Sequence, residues 1–284
     1  MSQGWQSLVK CGRLKICWLR PTRVQKCIGH ISLPAHLLIR CCTMAKKINK
    51  TVKKNPAKAK NKFVEKLKGS KIKDKVLFDV PHYPQTEEFT SSAACAMMVL
   101  KYINPDFKFK KENEYGIWQE AVNGSVWHGS KYGLAFALAK RGAKVGIMSN
   151  TKDEGYDKKI AVYENVNLDT LSASFNEIKQ KASNANVHEE HWQVSINTIK
   201  KALSSNCIPI VLINANVINP YLDPSPHWVV VKGYDKDAFY INDPYSDSTI
   251  TIDPDAFKTA LGFESDMHMV YADSKHFLEL KQKQ

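Results

Sequence analysis

The sequence VPHYPQTEEFTSSAACAMMVL, at residues 80–100, predicts a short strand, a polar turn and a helix that begins at Ser91. A helix N-terminus offers free backbone N–H groups and the positive end of the helix dipole. A nucleophile placed there has its anion stabilised, and a nearby side-chain amide can bind an oxyanion. Gln85, six residues before Ser91, is a candidate for that amide. This stretch therefore predicts a site that still needs a histidine and a carboxylate.

Charge divides the 284-residue chain into a basic N-terminal part and a mildly acidic body. Residues 1–75 contain 20 of the 41 Lys and Arg residues but only two acids, whereas residues 76–284 contain 21 basic residues and 26 acids. Binding along a nucleic-acid backbone needs clustered cations, so we do not expect the body to bind nucleic acid. Its length of about 200 residues suits one domain with a sizeable core.

Two different segments precede the body. Residues 1–43 hold five of the seven cysteines and no acid, which fits either a targeting leader or an upstream extension absent from the mature protein. Residues 44–75 are a lysine-rich run typical of a disordered tail, with weak contact to nucleic acid or an acidic surface as the alternative role. No apolar run approaches the ~18 residues of a transmembrane helix, so no membrane span is predicted.

The cysteines and histidines predict neither a metal site nor a disulfide framework. The N-terminal cysteines include no CxxC pair. In the HEEH sequence at residues 188–191 the second His comes three residues after the first, whereas the HExxH metal helix needs four. The body cysteines, Cys95 and Cys207, lie in apolar sequence, which favours a reducing, cytoplasmic setting. Nucleotide-binding glycine motifs are also missing from the sequence, and we expect no cofactor.

The hydrophobic patterns of the body predict helices first and an antiparallel sheet second, which is an α+β domain with one core over residues 76–284. Residues 150–167 look loop-rich. Helices are predicted at residues 91–103, 110–121, 131–141, 169–185, 194–204 and 254–261. Strands are predicted at residues 76–80, 144–149, 207–214, 228–234, 239–242, 249–252 and 267–271.

A histidine and an aspartate stand at the ends of two of these strands. His227 begins the strand HWVVVKGY, and Asp243 follows the strand FYIN. A hairpin that pairs residues 229–231 with residues 239–241 places His227 roughly opposite Asp243. A carboxylate beside an imidazole fixes its tautomer and supports the imidazolium. The alternatives are a strand-edge histidine with an ordinary hydrogen bond and an Asn-Asp-Pro turn signal.

Together these segments resemble the papain-fold cysteine peptidases of the bacteriocin-leader-processing type, the C39-like group. The similar segments are Gln85 followed by FTSSAACAMMVL, then PHWVVVKGYD around His227 and INDPY around Asp243, in the family's order over about residues 76–272. The segments IWQEA and YGLAFALAKRGAKV are similar to one subgroup. The resemblance implies a papain-like fold with Gln85 as the oxyanion donor, His227 as the general base and acid, and Asp243 as the orienting residue.

The resemblance places the nucleophile at Ser91, where the family's Cys-Gly-Pro-Ala is Ser-Ser-Ala-Ala in this sequence. A thiol with a pKa of about 8.5 is readily drawn to the thiolate, but a hydroxyl has no such accessible anion. Losing the nucleophile of such a site can lower turnover by ~10⁶-fold. Cys95, one helical turn further along, is expected to be a core residue and not a substitute.

Several functions stay open at this point. The first is a non-peptidase that binds a peptide or protein segment in its cleft. The second is an active hydrolase or acyl transferase that cleaves peptide or amide bonds with Ser91, His227, Asp243 and Gln85. The third is an unrelated α+β binding protein, and the fourth is a protein whose basic leader defines its role. Aromatic residues placed near the cleft by position alone, with a core role as the alternative, are Trp118, Trp127, Trp192 and Tyr221.

Overall fold

The computed structural model describes Glu65, residues 69–122 and residues 126–275. The described residues all belong to one unit, Ala59–Gln284. The predictions for residues 1–43 and for most of residues 44–75 therefore lie outside the described residues. Within the described part of the chain, no helix combines the length and apolar character that a membrane crossing requires.

Eight helices occur among the described residues. They are α1 (Ser91–Ile103), α2 (Lys111–Ala121), α3 (Lys131–Lys140), α4 (Tyr156–Tyr163), α5 (Leu168–Asn184), α6 (Ile196–Ser204), α7 (Ala215–Ile218) and α8 (Pro254–Ala260). The first ten residues of α1 are all buried, so this helix is the central one and carries apolar or small residues on every side. It ends at Ile103, before Asn104 and Pro105, because proline cannot continue a helix and restricts the residue before it.

The described strands form one eight-stranded sheet. They are β1 (Val76–Leu77), β2 (Val145–Ser149), β3 (His188–His191), β4 (Cys207–Asn214), β5 (Pro226–Tyr234), β6 (Phe239–Asn242), β7 (Thr249–Ile252) and β8 (His268–Asp273). The strand order is β3-β2-β8-β4-β5-β6-β7, and β1 pairs with β5. The neighbours pair antiparallel except β2 and β3, which are parallel.

The central strands are buried on both faces. On one face Leu212 and Trp228 pack in the same apolar cluster as α1. On the other face Ile213 and Val229 pack with α6 and with Phe257 of α8. Burying one such side chain contributes about 1.5–3 kcal/mol, so β4 and β5 are held firmly between the two layers. The beginning of β5, where His227 lies, is thereby fixed in place.

The α+β prediction is confirmed, and the predicted bounds of α1, β4, β6 and β7 agree with the structure. The loop prediction for residues 150–167 was wrong, because α4 lies there and buries Ala161 in a small cluster with Leu171. The strand β3 was also missed. Its HEEH sequence lacks apolar alternation because β3 is a mostly exposed edge strand. Its parallel pairing means that the sheet is not wholly antiparallel.

The predicted register between β5 and β6 was wrong as well. Val231 lies opposite Ile241 and Val230 opposite Asn242, and the pairing shifts between Val231 and Gly233. At the turn Tyr234 pairs with Phe239, so the ladder is already three residues away from the predicted register, and the β-bulge between Val231 and Gly233 reduces this offset to two. His227 is therefore not directly opposite Asp243 in the ladder.

Candidate functional site

His227 and Asp243 nevertheless meet at the ends of their strands. The Nε2 atom of His227 lies 2.7 Å from Oδ1 of Asp243, and the two residues are only 7% and 4% exposed. The same Oδ1 accepts a hydrogen bond of 2.9 Å from the N–H of Tyr245. Burial acts to raise the pKa of Asp243, but the hydrogen bond and charge of His227 outweigh it and lower that pKa. Asp243 is thus held as a carboxylate, and Nδ1 of His227 is left for another partner.

Ser91 is the first residue of α1 and lies beside this pair. Its Oγ accepts a hydrogen bond of 3.4 Å from the backbone N–H of Trp228, the residue that follows His227. Trp228 is itself fixed, since its indole N–H donates to the carbonyl of Gly129 at 2.9 Å. The N-cap residue Thr90 makes no capping hydrogen bond with its side chain. Because α1 begins at Ser91, the positive end of its dipole lies there, as the sequence predicted.

Gln85 is docked at the same site, but its amide is turned toward its own loop. The backbone N–H of Gln85 donates to the carbonyl of Pro244 at 2.8 Å, next to Asp243. The side-chain Nε2 donates to the carbonyls of Glu87 and Glu88 at 3.0 and 3.2 Å. Its Oε1 is buried and has no hydrogen-bond partner within the described residues. The four predicted site residues thus come together, with the Gln85 donors engaged inside the loop.

Glu114 of α2 holds this loop in place and was missed in the sequence. It is fully buried, and its Oε1 accepts hydrogen bonds from the Thr86 N–H at 2.9 Å and the Thr90 hydroxyl at 2.5 Å. Its Oε2 accepts one from the hydroxyl of Tyr83 at 3.0 Å, and burial together with the charge of Glu114 raises the pKa of Tyr83 to about 12. A sequence signal existed, because Glu114 shares the buried stripe of α2 with Ile117 and Ala121.

Two residues that precede Gln85, Val80 and His82, form hydrogen bonds with the residues at the end of β6. The ring Nε2 of His82 lies 3.0 Å from the carbonyl oxygen of Asp243, and the Asn242 side chain donates to the carbonyl of Val80 at 2.9 Å. His82 was not among the predicted site residues, and no spacing rule would have singled it out. The segment that precedes α1 and the segment that contains Asp243 are therefore connected directly.

Cys95 lies in the core, as expected. Its side chain is fully buried, and its thiol donates to the carbonyl of Trp228 at 3.1 Å. Burial raises the pKa of this thiol well above the ordinary value, and the negative charge of Asp243 adds to that effect. A neutral, enclosed thiol of this kind is a poor nucleophile.

Two of the four aromatic residues placed by position, Trp118 and Trp127, are in ring contact with each other. Trp118 and Trp127 stack near Phe89, two residues before Ser91. Trp192 follows β3, and its backbone N–H donates to the carbonyl of Ser149. Tyr221 lies in the loop before β5 and is almost fully exposed.

A second buried polar cluster joins α3 to the sheet. Lys131 is 3% exposed, and its ammonium donates to the hydroxyl of Ser149 at 2.8 Å and to the carbonyl of Thr151. The same hydroxyl lies 2.9 Å from Nδ1 of His268, and burial, helped by the charge of Lys131, lowers the pKa of that imidazole well below its ordinary value. Ser149 is fully buried, so this cluster is structural. Among the described residues, no group of three His, Cys, Asp or Glu could hold a metal ion.

Two comparisons place the chain among known proteins. Residues 80–271 match the family described as Peptidase_C39 like family. The crystal structure of a Bacillus anthracis protein described as a C39-like peptidase is 16% identical and covers 70% of this chain and 98% of its own, with a TM-score of 0.42.

Proposed function

Because the chain belongs to the Peptidase_C39 like family, we propose that it binds an extended peptide or protein segment at Ser91, His227 and Asp243 without cleaving it. In this proposal Ser91 stands where the nucleophilic cysteine of an active member would be. The neighbouring residues, Ser92 and Ala93, then replace the family's Gly and Pro. The position of the site is kept while its nucleophile is lost.

Binding without cleavage is supported above all by Gln85. An oxyanion donor must point at the place where negative charge develops and must be free to donate there. Both amide protons of Gln85 are instead directed to the carbonyls of Glu87 and Glu88 in its own loop. Removing one donor from an oxyanion hole lowers turnover by about 10²–10³-fold, in addition to the effect of the missing thiol.

The surroundings of the Ser91 hydroxyl favour the same conclusion. Its oxygen accepts a hydrogen bond of 3.4 Å from the Trp228 N–H, and within the described residues no hydrogen bond joins it to the imidazole of His227. A hydroxyl also requires a well-aligned base at the moment of attack, because its anion is not accessible at neutral pH.

A second candidate function is hydrolysis or acyl transfer with Ser91 as the nucleophile, and the intact His227–Asp243 pair favours it. In that reaction Nδ1 of His227 would take the hydroxyl proton as the oxygen bonds to the substrate carbonyl carbon. The imidazolium, stabilised by Asp243, would then return the proton to the leaving amine. A protein that only binds does not need such a buried, charge-paired imidazole.

A fluorophosphonate probe separates the two functions. It phosphonylates an activated serine, so we expect no labelling of the wild-type protein, while Ser91→Ala keeps the binding of members of a short synthetic peptide library. Labelling of the wild-type protein that disappears in Ser91→Ala would instead establish the hydrolase.

The variant Ser91→Cys tests whether the surroundings still suit a thiolate. We expect the introduced thiol to react with iodoacetamide at a pH below the ordinary thiol pKa of about 8.5, because the helix start and His227 both favour the anion. A normal pH profile for that thiol would show that Ser91 does not lie in a site of the family's kind.

A further inference from the structure

We propose that the Ser91 site takes a basic peptide segment. A bulky apolar side chain of this peptide lies on an aromatic wall, formed by Phe89, Trp118 and Trp127, and its Lys or Arg side chains face the acidic loops around the site. This inference rests on the proposed peptide-binding function and names the class of ligand.

The aromatic wall is rigid and partly exposed. The ring centroid of Phe89 lies 4.9 Å from that of Trp118 and 5.0 Å from that of Trp127, and the two tryptophans are 5.7 Å apart. The indole N–H of Trp118 also donates to the carbonyl of Trp127 at 3.0 Å. Trp127 is 55% exposed. Rings held in place by one another lose little freedom when an apolar side chain packs on them, which makes them good anchors for a ligand.

Both ends of the wall are connected to the surroundings of Ser91. Phe89 precedes Ser91 by two residues. Trp127 precedes Gly129 by two residues, and the carbonyl of Gly129 accepts the Trp228 indole N–H, while the backbone N–H of Trp228 donates to Ser91. A peptide side chain that packs on the wall therefore places its backbone beside the Ser91 site.

The loops around the site are acidic, although the whole chain is basic. Residues 83–90, 126–130, 215–226 and 243–248 together contain five Asp or Glu residues and no Lys or Arg. In a negative field of this kind a cationic ligand is favoured and an anionic one is repelled.

Three of these five carboxylates, those of Glu88, Asp223 and Asp247, are exposed and form no ion pair within the described residues. Glu87 is the one that is already paired with a lysine, Lys111 of α2, at 3.1 Å. Burial lowers the pKa of His128, so this imidazole adds no positive charge near neutral pH.

A lysine of the chain itself already lies over an aromatic ring, Tyr115, that borders the wall. The Lys111 ammonium lies 5.4 Å from the ring centroid of Tyr115, and that ring is in edge contact with Trp118 at 6.5 Å. A cation over an aromatic face is attracted by the ring quadrupole, and tryptophan is the strongest partner. Trp127 offers a larger, exposed ring in contact with Phe89, the residue that follows Glu88, and a Lys or Arg of the ligand can bind there in the same way.

Three fluorescein-labelled peptides of equal length test the inference with the full-length protein. The first has a Phe flanked by Arg residues, the second has the same Phe flanked by Glu, and the third has an Ala flanked by Arg. We expect the first to bind about tenfold or more tighter than either of the others, with an affinity that falls as salt is added.

Matched variants test whether the aromatic wall causes the preference for Phe and whether the acidic loops cause the preference for Arg. Trp127→Ala removes the preference for Phe over Ala, whereas Trp192→Ala, which removes a similarly exposed tryptophan outside the wall, leaves it unchanged. The triple variant Glu88→Gln, Asp223→Asn, Asp247→Asn removes the preference for Arg over Glu. The control Asp169→Asn, Glu177→Gln, Asp237→Asn changes the net charge equally at exposed positions outside these loops and keeps that preference.

The outcomes separate this inference from the function on which it rests. If all three peptides bind equally well, the ligand class is wrong and peptide binding stands. If neither these peptides nor any member of the short library binds, both are overturned. Co-sedimentation of the protein with phosphatidylcholine vesicles that is lost in Trp127→Ala would also overturn the inference, because the wall would then be a lipid contact.

Discussion

The carboxylate of Glu114 accepts a hydrogen bond of 2.5 Å from the hydroxyl of Thr90, the residue immediately before Ser91. The helix α2 thereby fixes both the loop that contains Gln85 and the start of α1. A second hydrogen bond joins the loop to α2. The carboxylate of Glu87 in the loop accepts it from the hydroxyl of Tyr115 in α2 at 2.6 Å. The geometry around Ser91 thus depends on contacts between α2 and the loop that precedes α1.

Replacing Glu114 with alanine is expected to lower the free energy of unfolding by about 2–4 kcal/mol. The substitution leaves the Thr86 N–H and the Tyr83 hydroxyl without their acceptor, while the Thr90 hydroxyl keeps the carbonyl of Glu87 at 2.9 Å, and an unsatisfied buried group costs about 1–3 kcal/mol. Urea denaturation measures the change. Glu120→Ala on the same helix removes a partly exposed partner of Arg141 and Lys140 and should cost under about 1 kcal/mol. Equal losses in the two variants would contradict the role given to Glu114.

Acid should destabilise the protein through Asp243. The folded-state pKa of this carboxyl is lower than its ordinary value of 3.8, so its contribution is fully present above that value and is lost as the pH falls through the folded-state pKa. We expect the free energy of unfolding to fall below about pH 4 with a slope that Asp243→Asn reduces. Asp247→Asn, an exposed neighbour, serves as the control. An unchanged slope in Asp243→Asn would show that the pair with His227 does not lower the pKa.

Gly129 should tolerate a methyl group only if Ser92 is made smaller. A Cβ atom at Gly129 would lie 2.0 Å from Oγ and 2.4 Å from Cβ of Ser92, which is fully buried. Overpacking of this kind costs about 1–3 kcal/mol, so Gly129→Ala should destabilise the protein by that amount. The double variant with Ser92→Gly should recover most of the loss. Additive effects in thermal or urea unfolding would show that the two residues are not in contact.

The thiols of Cys95 and Cys207 should resist alkylation in the folded protein. Both are buried, and burial keeps the Cys95 thiol protonated. Mass-spectrometric mapping after iodoacetamide treatment should find these two sites modified only when urea unfolds the chain. Rapid modification of Cys95 in the native protein would mean that the start of α1 opens readily, and it would weaken the case for a rigid site.

Sequence patterns predicted the buried helices and strands, because burial requires apolar residues at regular positions. The helix α1 and the strands β4 and β6 are buried, and their apolar character is visible in the sequence. The strand β3 was missed because an exposed edge strand needs no apolar pattern. The pairing of β5 with β6 was misplaced because the turn is tighter than the residue spacing suggested, with Tyr234 paired to Phe239 and only residues 235–238 between them.

The candidate site likewise has residues that the sequence could locate and contacts that it could not. Ser91, His227, Asp243 and Gln85 could be located from strand ends and a helix start, because those positions are set by local sequence. The orientation of the Gln85 amide depends on carbonyls of its own loop, and the role of Glu114 depends on three donors up to 31 residues away. No local pattern encodes such contacts, so only the folded chain reveals them.

The segment before α1 is bound to the segment around Asp243 by three hydrogen bonds, from Gln85 to Pro244, from His82 to Asp243 and from Asn242 to Val80. A hinge motion that parted the helical side of the site from the sheet side would have to break all three together. We therefore expect a ligand to enter by displacing side chains at the rim, with the backbone on both sides moving as one body. Hydrogen exchange at the Gln85 amide should then be as slow with a ligand absent as with it bound.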